Sequence, residues 1–164
     1  MQTMTEQDVI DQELTEQQML DFISDMFMNQ MPFNDLLGMR ITSYTTDSIE
    51  LRINMDDKLI GNPIRKILHG GVTASLLDVA GGMLVAAAAI PQMEIKSAEN
   101  FHKNLKSLGT IDLRVDYLRP GWGDEFTATA QIIRSGNKVA VTRMELHNQE
   151  GVHIAFGTGT YLVG

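Results

Sequence analysis

The residue best suited to do chemistry in this chain is Asp78, which stands alone in an otherwise uncharged stretch. Between Gly70 and Ile90 it is the only ionisable side chain. A carboxylate in apolar surroundings is costly to bury unless it is hydrogen-bonded or meets water in a cleft. We therefore interpret Asp78 as a functional group; the alternative is a buried carboxylate that only bonds a neighbouring Thr or Ser.

A second candidate site lies just before Asp78, in the sequence His69-Gly70-Gly71. If a helix begins at Gly70-Gly71, its first backbone N–H groups have no partner within the helix and carry the positive end of its dipole. Two glycines let another group approach these N–H groups closely. Such a helix start predicts a place where an oxyanion can be stabilised.

The stretch that must position both candidates runs from Gly70 to Ile90 and is apolar nearly all round. It is long enough for a membrane span, but it is mostly Ala, Gly, Thr and Ser and has an acid near its middle, which is costly in a bilayer. We predict instead a helix buried on every side. A sheet wrapped around it, closed by a second copy of the chain, would bury it completely.

Length and composition limit the other possibilities. The 164 residues carry a formal net charge of -8, which argues against general binding to nucleic acid or to an anionic membrane. Cysteine is absent, so disulfides, thiolate catalysis and Cys-ligated metals are excluded. The acidic N-terminus lacks the pattern of a signal peptide, and we expect a cytoplasmic protein.

The N-terminal region predicts a loose tail over residues 1–14, followed by an amphipathic helix that ends near Met31-Pro32. Thr15 to Gln18 fits a capping box. The Met- and Phe-rich face of this helix either packs on the core or lines an acyl pocket, for which methionine is well suited. We divide the chain into residues 1–32 and a domain over residues 33–164. The apolar positions with helical spacing are Met19, Phe22, Ile23, Met26 and Phe27.

Alternating apolar and polar residues predict strands both before and after the central helix in the sequence. The strands after it read as an antiparallel meander, which makes the chain an α+β protein. We expect an irregular loop over 56–67 and a loop or short helix over 92–108. The predicted strands are Met39 to Tyr44, Ser48 to Met55, Ile111 to Tyr117, Glu125 to Arg134, Lys138 to His147 and Val152 to Val163.

Two motifs together resemble a known family. Asn62, His69-Gly70-Gly71 and Asp78 form the first, and the strand from Gly109 to Pro120, which ends in Tyr-Leu-Arg-Pro, forms the second. In both, the chain resembles the hotdog-fold acyl-CoA thioesterases of the phenylacetyl-CoA thioesterase type, within the 4-hydroxybenzoyl-CoA thioesterase superfamily. The resemblance begins near Asn34 and leaves the N-terminal helix outside. It implies an antiparallel sheet wrapped around one long central helix, in a homodimer or homotetramer with active sites between subunits.

The resemblance also implies roles for individual residues. The Gly70 N–H would polarise the thioester carbonyl, and Asp78 of the partner subunit would act as general base or nucleophile. Asn62 would hold the water or the carbonyl, although it lies one residue farther from the His-Gly-Gly than is usual in the family. Thr110 would assist the acid, and His69 would orient the loop rather than take protons.

An acyl-CoA substrate brings phosphates, so an acidic protein needs local basic groups. The candidates are Arg134 and Lys138 in one predicted hairpin, together with Arg119 and Arg143. The alternative is that these charges are solvated on strand faces.

We expect neither a metal nor a cofactor, because His102, His147 and His153 lack metal-ligand spacing. The sequence therefore predicts hydrolysis of an acyl-CoA to free acid and coenzyme A. Two alternatives stay open at this point. One is a non-catalytic acyl-CoA binding or sensing protein, and the other is a hotdog hydratase or dehydratase acting on acyl thioesters.

Overall fold

The structure is a computed structural model that describes residues 13–94 and 96–163. It confirms the α+β class and the hotdog arrangement, in which a six-stranded antiparallel sheet wraps around one long helix. The helices are α1 (Glu16–Asn29), α2 (Pro32–Leu37), α3 (Gly70–Ala89) and α4 (Ala98–Ser107). The strands are β1 (Arg40–Tyr44), β2 (Ile49–Asn54), β3 (Ile60–Asn62), β4 (Ile67–Leu68), β5 (Gly109–Tyr117), β6 (Glu125–Ser135), β7 (Val139–Asn148) and β8 (His153–Leu162).

Helix α3 is the core of the molecule. Leu76, Leu77, Met83 and Leu84 are fully buried, and the helix packs against strands β2, β5, β6, β7 and β8 as well as α1. The segment Gly70–Gln92 is long and apolar enough to cross a membrane, but 67% of its most apolar window is buried inside the protein. The sheet thus buries the apolar side chains of α3.

The sheet has the order β1-β2-β6-β7-β8-β5, and every neighbouring pair is antiparallel. The predicted meander is confirmed for β6, β7 and β8 but is wrong for β5, which pairs with β8. The reason is that β2 occupies the free side of β6, so the segment between β5 and β6 must cross to the other side of the sheet. Among the described residues, the outer edge of β5 has no strand beside it.

The predicted capping box of α1 is confirmed. The backbone N–H of Gln18 donates to the Thr15 hydroxyl at 3.2 Å, and the Thr15 N–H donates to the Gln18 side chain at 2.9 Å. Met19 and Ile23 are fully buried in the same core cluster as α3. Helix α2 ends at Gly38, whose φ of 69° is the left-handed conformation that glycine adopts without strain.

Three connecting segments are more ordered than predicted. Residues 1–12 of the predicted tail lie outside the described residues, but the Leu14 N–H donates to the Lys96 carbonyl at 2.8 Å, so the last part is fixed. The predicted loop 56–67 contains a 3-10 turn, Asp57–Leu59, and the β3–β4 hairpin. These strands were missed because they are too short to show alternation. Within 92–108, the helical alternative is confirmed, since α4 begins after its cap Ser97.

Candidate active site

The carboxylate of Asp78 is held by two hydroxyl groups. The Thr110 hydroxyl donates to Asp78 Oδ1 at 3.0 Å, and the Tyr161 hydroxyl donates to the same oxygen at 3.1 Å. Among the described residues, no donor is bonded to the second oxygen, Oδ2. A carboxylate with one oxygen fixed and the other free is oriented for a base or nucleophile without being neutralised.

Tyr161 is a site residue that the sequence analysis missed. It lies on β8, is only 1% exposed, and also approaches the Asp78 carbonyl at 3.1 Å. Burial, followed by the negative charge of Asp78, raises the pKa of Tyr161, so the hydroxyl stays protonated and remains a donor. Glycines make room for it: a Cβ on Gly159 would lie 2.6 Å from the Tyr161 hydroxyl, and one on Gly81 would overlap it.

An open cavity of about 540 Å³ lies directly beside Asp78. Its wall is mostly apolar and comes from α1, α2, α3 and the segment that leads from α4 into β5. Thr110 and Tyr161 lie on its polar side together with the acid. The carboxylate therefore faces a space that can hold an apolar group. Among the wall residues are Met26, Met31, Phe33, Val79, Leu105 and Leu108.

The N-terminus of α3 is capped by His69, which uses both its side chain and its backbone. Its Nδ1 accepts the Gly71 N–H at 2.8 Å, and its carbonyl accepts the N–H groups of Val72 and Thr73 at 3.0 and 3.2 Å. Gly70 is the first helical residue and has no acceptor for its N–H within the helix. The Gly71 N–H is thus occupied, whereas the Gly70 N–H has no acceptor in the part of the chain that the structure describes.

The surroundings of Gly70 fix its position. The Tyr117 hydroxyl donates to the Gly70 carbonyl at 2.7 Å, which holds the peptide from the side of β5. A Cβ on Gly61 would lie 2.6 Å from His69 Cα, so the β3–β4 hairpin packs tightly on the cap. Next to Gly70 is an open groove of about 400 Å³, whose wall includes Arg65, Tyr117 and Arg119.

Asp78 and Gly70 do not share a cleft within one chain. Asp78 lies eight residues after Gly70 on α3, and a rise of 1.5 Å per residue separates them by about 12 Å along the helix axis. Asp78 lines the apolar cavity, whereas Gly70 lines the groove at the helix end. One chain thus contains both candidate parts of a site but holds them apart.

Comparisons with known proteins identify the family of this chain. The sequence pattern of the thioesterase superfamily matches residues 66–155, more than half of the chain. The chain belongs to the thioesterase superfamily. Its members hydrolyse thioesters, so the chain is an enzyme of the thioester-hydrolase class. The match spans the β4–α3 start, Asp78 and Thr110, and therefore covers most of the candidate site.

Individual relatives of this superfamily cover nearly the whole chain. The medium/long-chain acyl-CoA thioesterase YigI of Escherichia coli K12 is 47% identical over 151 residues, which are 92% of this chain and 97% of the relative. The protein of the same name from Salmonella typhimurium is 46% identical over the same shares. A crystal structure from Shewanella oneidensis, described as related to the thioesterase superfamily, is 49% identical with a TM-score of 0.89 and covers 93% of this chain and 100% of its own.

Asn62 lies near Gly70, at the start of α3, and not beside Asp78. It is the last residue of β3, and its side-chain oxygen accepts the N–H groups of Ile64 and Arg65 at 3.1 and 3.0 Å. Its amide oxygen therefore stabilises its own turn. A role for Asn62 toward substrate stays a prediction.

The four basic residues are not brought together in one chain. Arg119 lines the groove beside Gly70 and donates to the His153 carbonyl at 2.9 Å. Arg134 and Lys138 lie at the β6–β7 hairpin, whose tip packs near the C-terminal end of α3. Helix α3 has 20 residues, so this end is about 30 Å from Gly70 along the helix axis. Arg143 projects from the outer face of the sheet, with its guanidinium 3.7 Å from the centroid of the Phe156 ring.

Proposed function

We propose that this thioesterase hydrolyses a medium- or long-chain or aryl acyl-CoA to the free acid and coenzyme A. The observation that carries the proposal is the carboxylate of Asp78, which two hydroxyls hold by one oxygen and which lines a mostly apolar cavity. The name of the Escherichia coli relative, a medium/long-chain acyl-CoA thioesterase, supports the same substrate class.

The reaction needs a nucleophile and a stabilised oxyanion. In one route Asp78 Oδ2 takes a proton from a water molecule, and the oxygen of that water adds to the thioester carbonyl carbon. The Gly70 N–H donates to the carbonyl oxygen as it gains negative charge. The C–S bond then breaks, and the thiolate of coenzyme A leaves and takes up the proton held by Asp78, which restores the carboxylate.

In a second route Asp78 Oδ2 attacks the carbonyl carbon itself. The C–S bond breaks to release the thiolate, and an anhydride forms between the acyl group and the carboxylate. Water then cleaves the anhydride, which restores Asp78 and releases the acid. Both routes use the same free oxygen of Asp78 and the same oxyanion donor.

We propose that each active site combines Gly70 of one subunit with Asp78 of the partner subunit. The separation of about 12 Å within one chain supports this division. So does β5, a nine-residue edge strand that carries Thr110 and the 53% exposed Ile111. Unpaired edge strands that expose apolar side chains pair readily with another strand. A homodimer formed along β5, alone or within a homotetramer, would cover this edge.

A cytoplasmic location stays a prediction.

The cavity beside Asp78 is our candidate for the acyl group. Methionine side chains are flexible and polarisable, so Met26 and Met31 can adapt to chains of different length. This places part of the N-terminal helix in substrate binding as well as in the core. The domain boundary near residue 32 would then cross the acyl site.

For the phosphates of coenzyme A, Arg119 is the best supported of the four predicted basic residues. It lies in the groove that contains Gly70, where the thioester carbonyl would be bound. A guanidinium binds phosphate through paired hydrogen bonds. Arg134, Lys138 and Arg143 remain predictions, since within one chain they lie away from this groove.

The test is release of free thiol from a panel of acyl-CoA esters of increasing chain length, with wild type and Asp78→Asn. We expect wild type to turn over medium or long chains and Asp78→Asn to lose activity by about 10³-fold or more, because the amide cannot act as base or nucleophile. The variant should retain the thermal unfolding midpoint within a few degrees, since Asn can still accept from both hydroxyls.

Binding measurements separate hydrolysis from the two alternatives. If wild type binds a non-hydrolysable acyl-CoA thioether but releases no more thiol than Asp78→Asn, the protein is an acyl-CoA binding or sensing protein. If an enoyl- or hydroxyacyl-CoA is hydrated or dehydrated without thiol release, the hydratase alternative is correct. Either result would overturn the proposal.

A further inference from the structure

The outer face of the sheet carries a cluster of side chains that the proposed reaction does not use. On β7, the even-numbered residues Met144 and Leu146 point toward α3 and are fully buried. The alternate residues Glu145 and His147 therefore point outward. His153, on β8, is the cross-strand partner of His147. The sequence spacing did not reveal this cluster, because its members come from two strands.

The three side chains are close enough to share one ligand. One carboxylate oxygen of Glu145 and one ring nitrogen each of His147 and His153 lie within 4.8 Å of one another. The two imidazole rings stack, with centroids 4.5 Å apart and an angle of 14° between their planes. All three residues lie on the paired strands β7 and β8, whose register shifts between Leu146 and His147.

The polar atoms of the cluster are poorly paired. Within residues 13–94 and 96–163, the buried Nε2 of His153 has no hydrogen-bond partner, which is costly for a polar atom. His147 Nε2 lies 3.9 Å from a Glu145 carboxylate oxygen, too far for a hydrogen bond. The three groups thus lie close together without a hydrogen bond between any two of them.

The cluster is partly exposed to solvent. The side chains of His147 and Glu145 are 32% and 39% exposed, so an ion can reach them from solvent.

We propose that Glu145, His147 and His153 bind a divalent transition metal ion, with Zn²⁺ as the ion of choice. Two imidazole nitrogens and one carboxylate oxygen are a ligand set that zinc accepts, and water would complete the tetrahedron. The site lies on the face of the sheet opposite α3, so its role is structural. It would tie β7 to β8 beside the turn that joins them, next to the His153 carbonyl that Arg119 binds.

The test is a zinc titration of the full-length protein, freed of any purification tag and dialysed against a chelator. Calorimetry should show about one Zn²⁺ per chain, and Co²⁺ in its place should give the intense visible absorption of a tetrahedral site. His153→Gln and Glu145→Gln should each weaken Zn²⁺ binding by at least about tenfold, since each removes one of three protein ligands.

The matched control is His102→Gln, because His102 is an exposed histidine on α4 outside the cluster. It should bind Zn²⁺ as wild type does. The proposal is overturned if wild type binds well below one equivalent, if both cluster variants bind as tightly as wild type, or if His102→Gln loses as much affinity as they do. Glu145→Gln keeps the test valid if His153→Gln does not fold. Thiol release should continue in both cluster variants.

Discussion

The start of α3 and a position about two turns further along the same helix offer a substrate opposite environments. At Gly70 the groove is open and the available group is a backbone N–H. At Asp78 the available group is the carboxylate oxygen Oδ2, which lies beside an open, mostly apolar cavity while two hydroxyls hold Oδ1. The first place can stabilise a negative oxygen, and the second can create a nucleophile. One helix thus carries both proposed parts of the hydrolytic site, and their separation of about 12 Å keeps them from acting together within one chain.

The strongest test of this division combines two inactive chains. Gly70→Pro removes the proposed oxyanion donor, and proline suits this position because it is the first of the helix and follows His69 in an extended conformation, with φ -64° and ψ 134°. Alone, it should lower kcat by about 10²–10³-fold. Co-expressed with Asp78→Asn, it should restore thiol release to about a quarter of wild type, because half of randomly formed dimers are mixed and each contains one intact site.

Gly70→Ala is the matched control, since it keeps the N–H and its Cβ would meet Tyr117 at an ordinary distance of 3.4 Å. It should stay within about tenfold of wild type, far above the proline variant. If the mixed sample remains as inactive as its two parents, Gly70 and Asp78 do not form one site across two subunits.

A smaller effect is expected when the Asp78 environment alone is changed. Tyr161→Phe removes one of the two donors to Asp78 Oδ1 and should lower kcat about tenfold with little change in KM, because the carboxylate is less well oriented. Steady-state kinetics on one acyl-CoA would measure both constants.

Tyr44→Phe is the control for that experiment. Its hydroxyl also donates to α3, at 2.7 Å, but to the Met83 carbonyl, and it does not touch Asp78. It should cost about 1 kcal/mol of unfolding free energy and leave kcat unchanged. Equal losses of kcat in both variants would mean that Tyr161 only supports the core.

The last comparison concerns not the catalytic rate but the stability effects of two adjacent glycines of α3. Gly81→Ala would overlap the hydroxyl of Tyr161, so it should destabilise the protein by about 1–3 kcal/mol. Gly82→Ala would come no closer than 3.6 Å to the same ring, and should stabilise by about 0.5–1 kcal/mol because alanine favours the helix. Chemical denaturation would measure both. Equal effects would show that the close packing of Tyr161 against Gly81 has no energetic importance.

The parts of the fold that were predicted are those with a long, regular pattern. Helix α3, the capped helix α1 and the three strands of the meander follow directly from apolar runs, periodicity and turn residues. The β3–β4 hairpin and the position of β5 beside β8 could not be predicted. The first is too short for a pattern, and the second depends on which edge of β6 is already occupied.

The residues of the candidate site also differ in how readily the sequence predicts them. Asp78 was predictable because an acid in an apolar helix is unusual, whereas Tyr161 resembles any aromatic residue of a buried strand. The glycines at 157 and 159 were the available signal, since they leave space on β8 that a large side chain can fill. His147 and His153 could also have been paired, because they flank the predicted turn at Asn148 to Gly151.

Helix α1 has a consequence for how this enzyme can change over evolutionary time. Its fully buried residues Met19 and Ile23 hold the core together, whereas Met26, one turn further along, lies at the cavity wall. Substitutions at Met19 or Ile23 would leave a cavity in the core, whereas Met26 is only partly buried against it. In the proposed acyl site, changes at Met26 would therefore alter the preferred chain length with less loss of stability than changes at the other two positions.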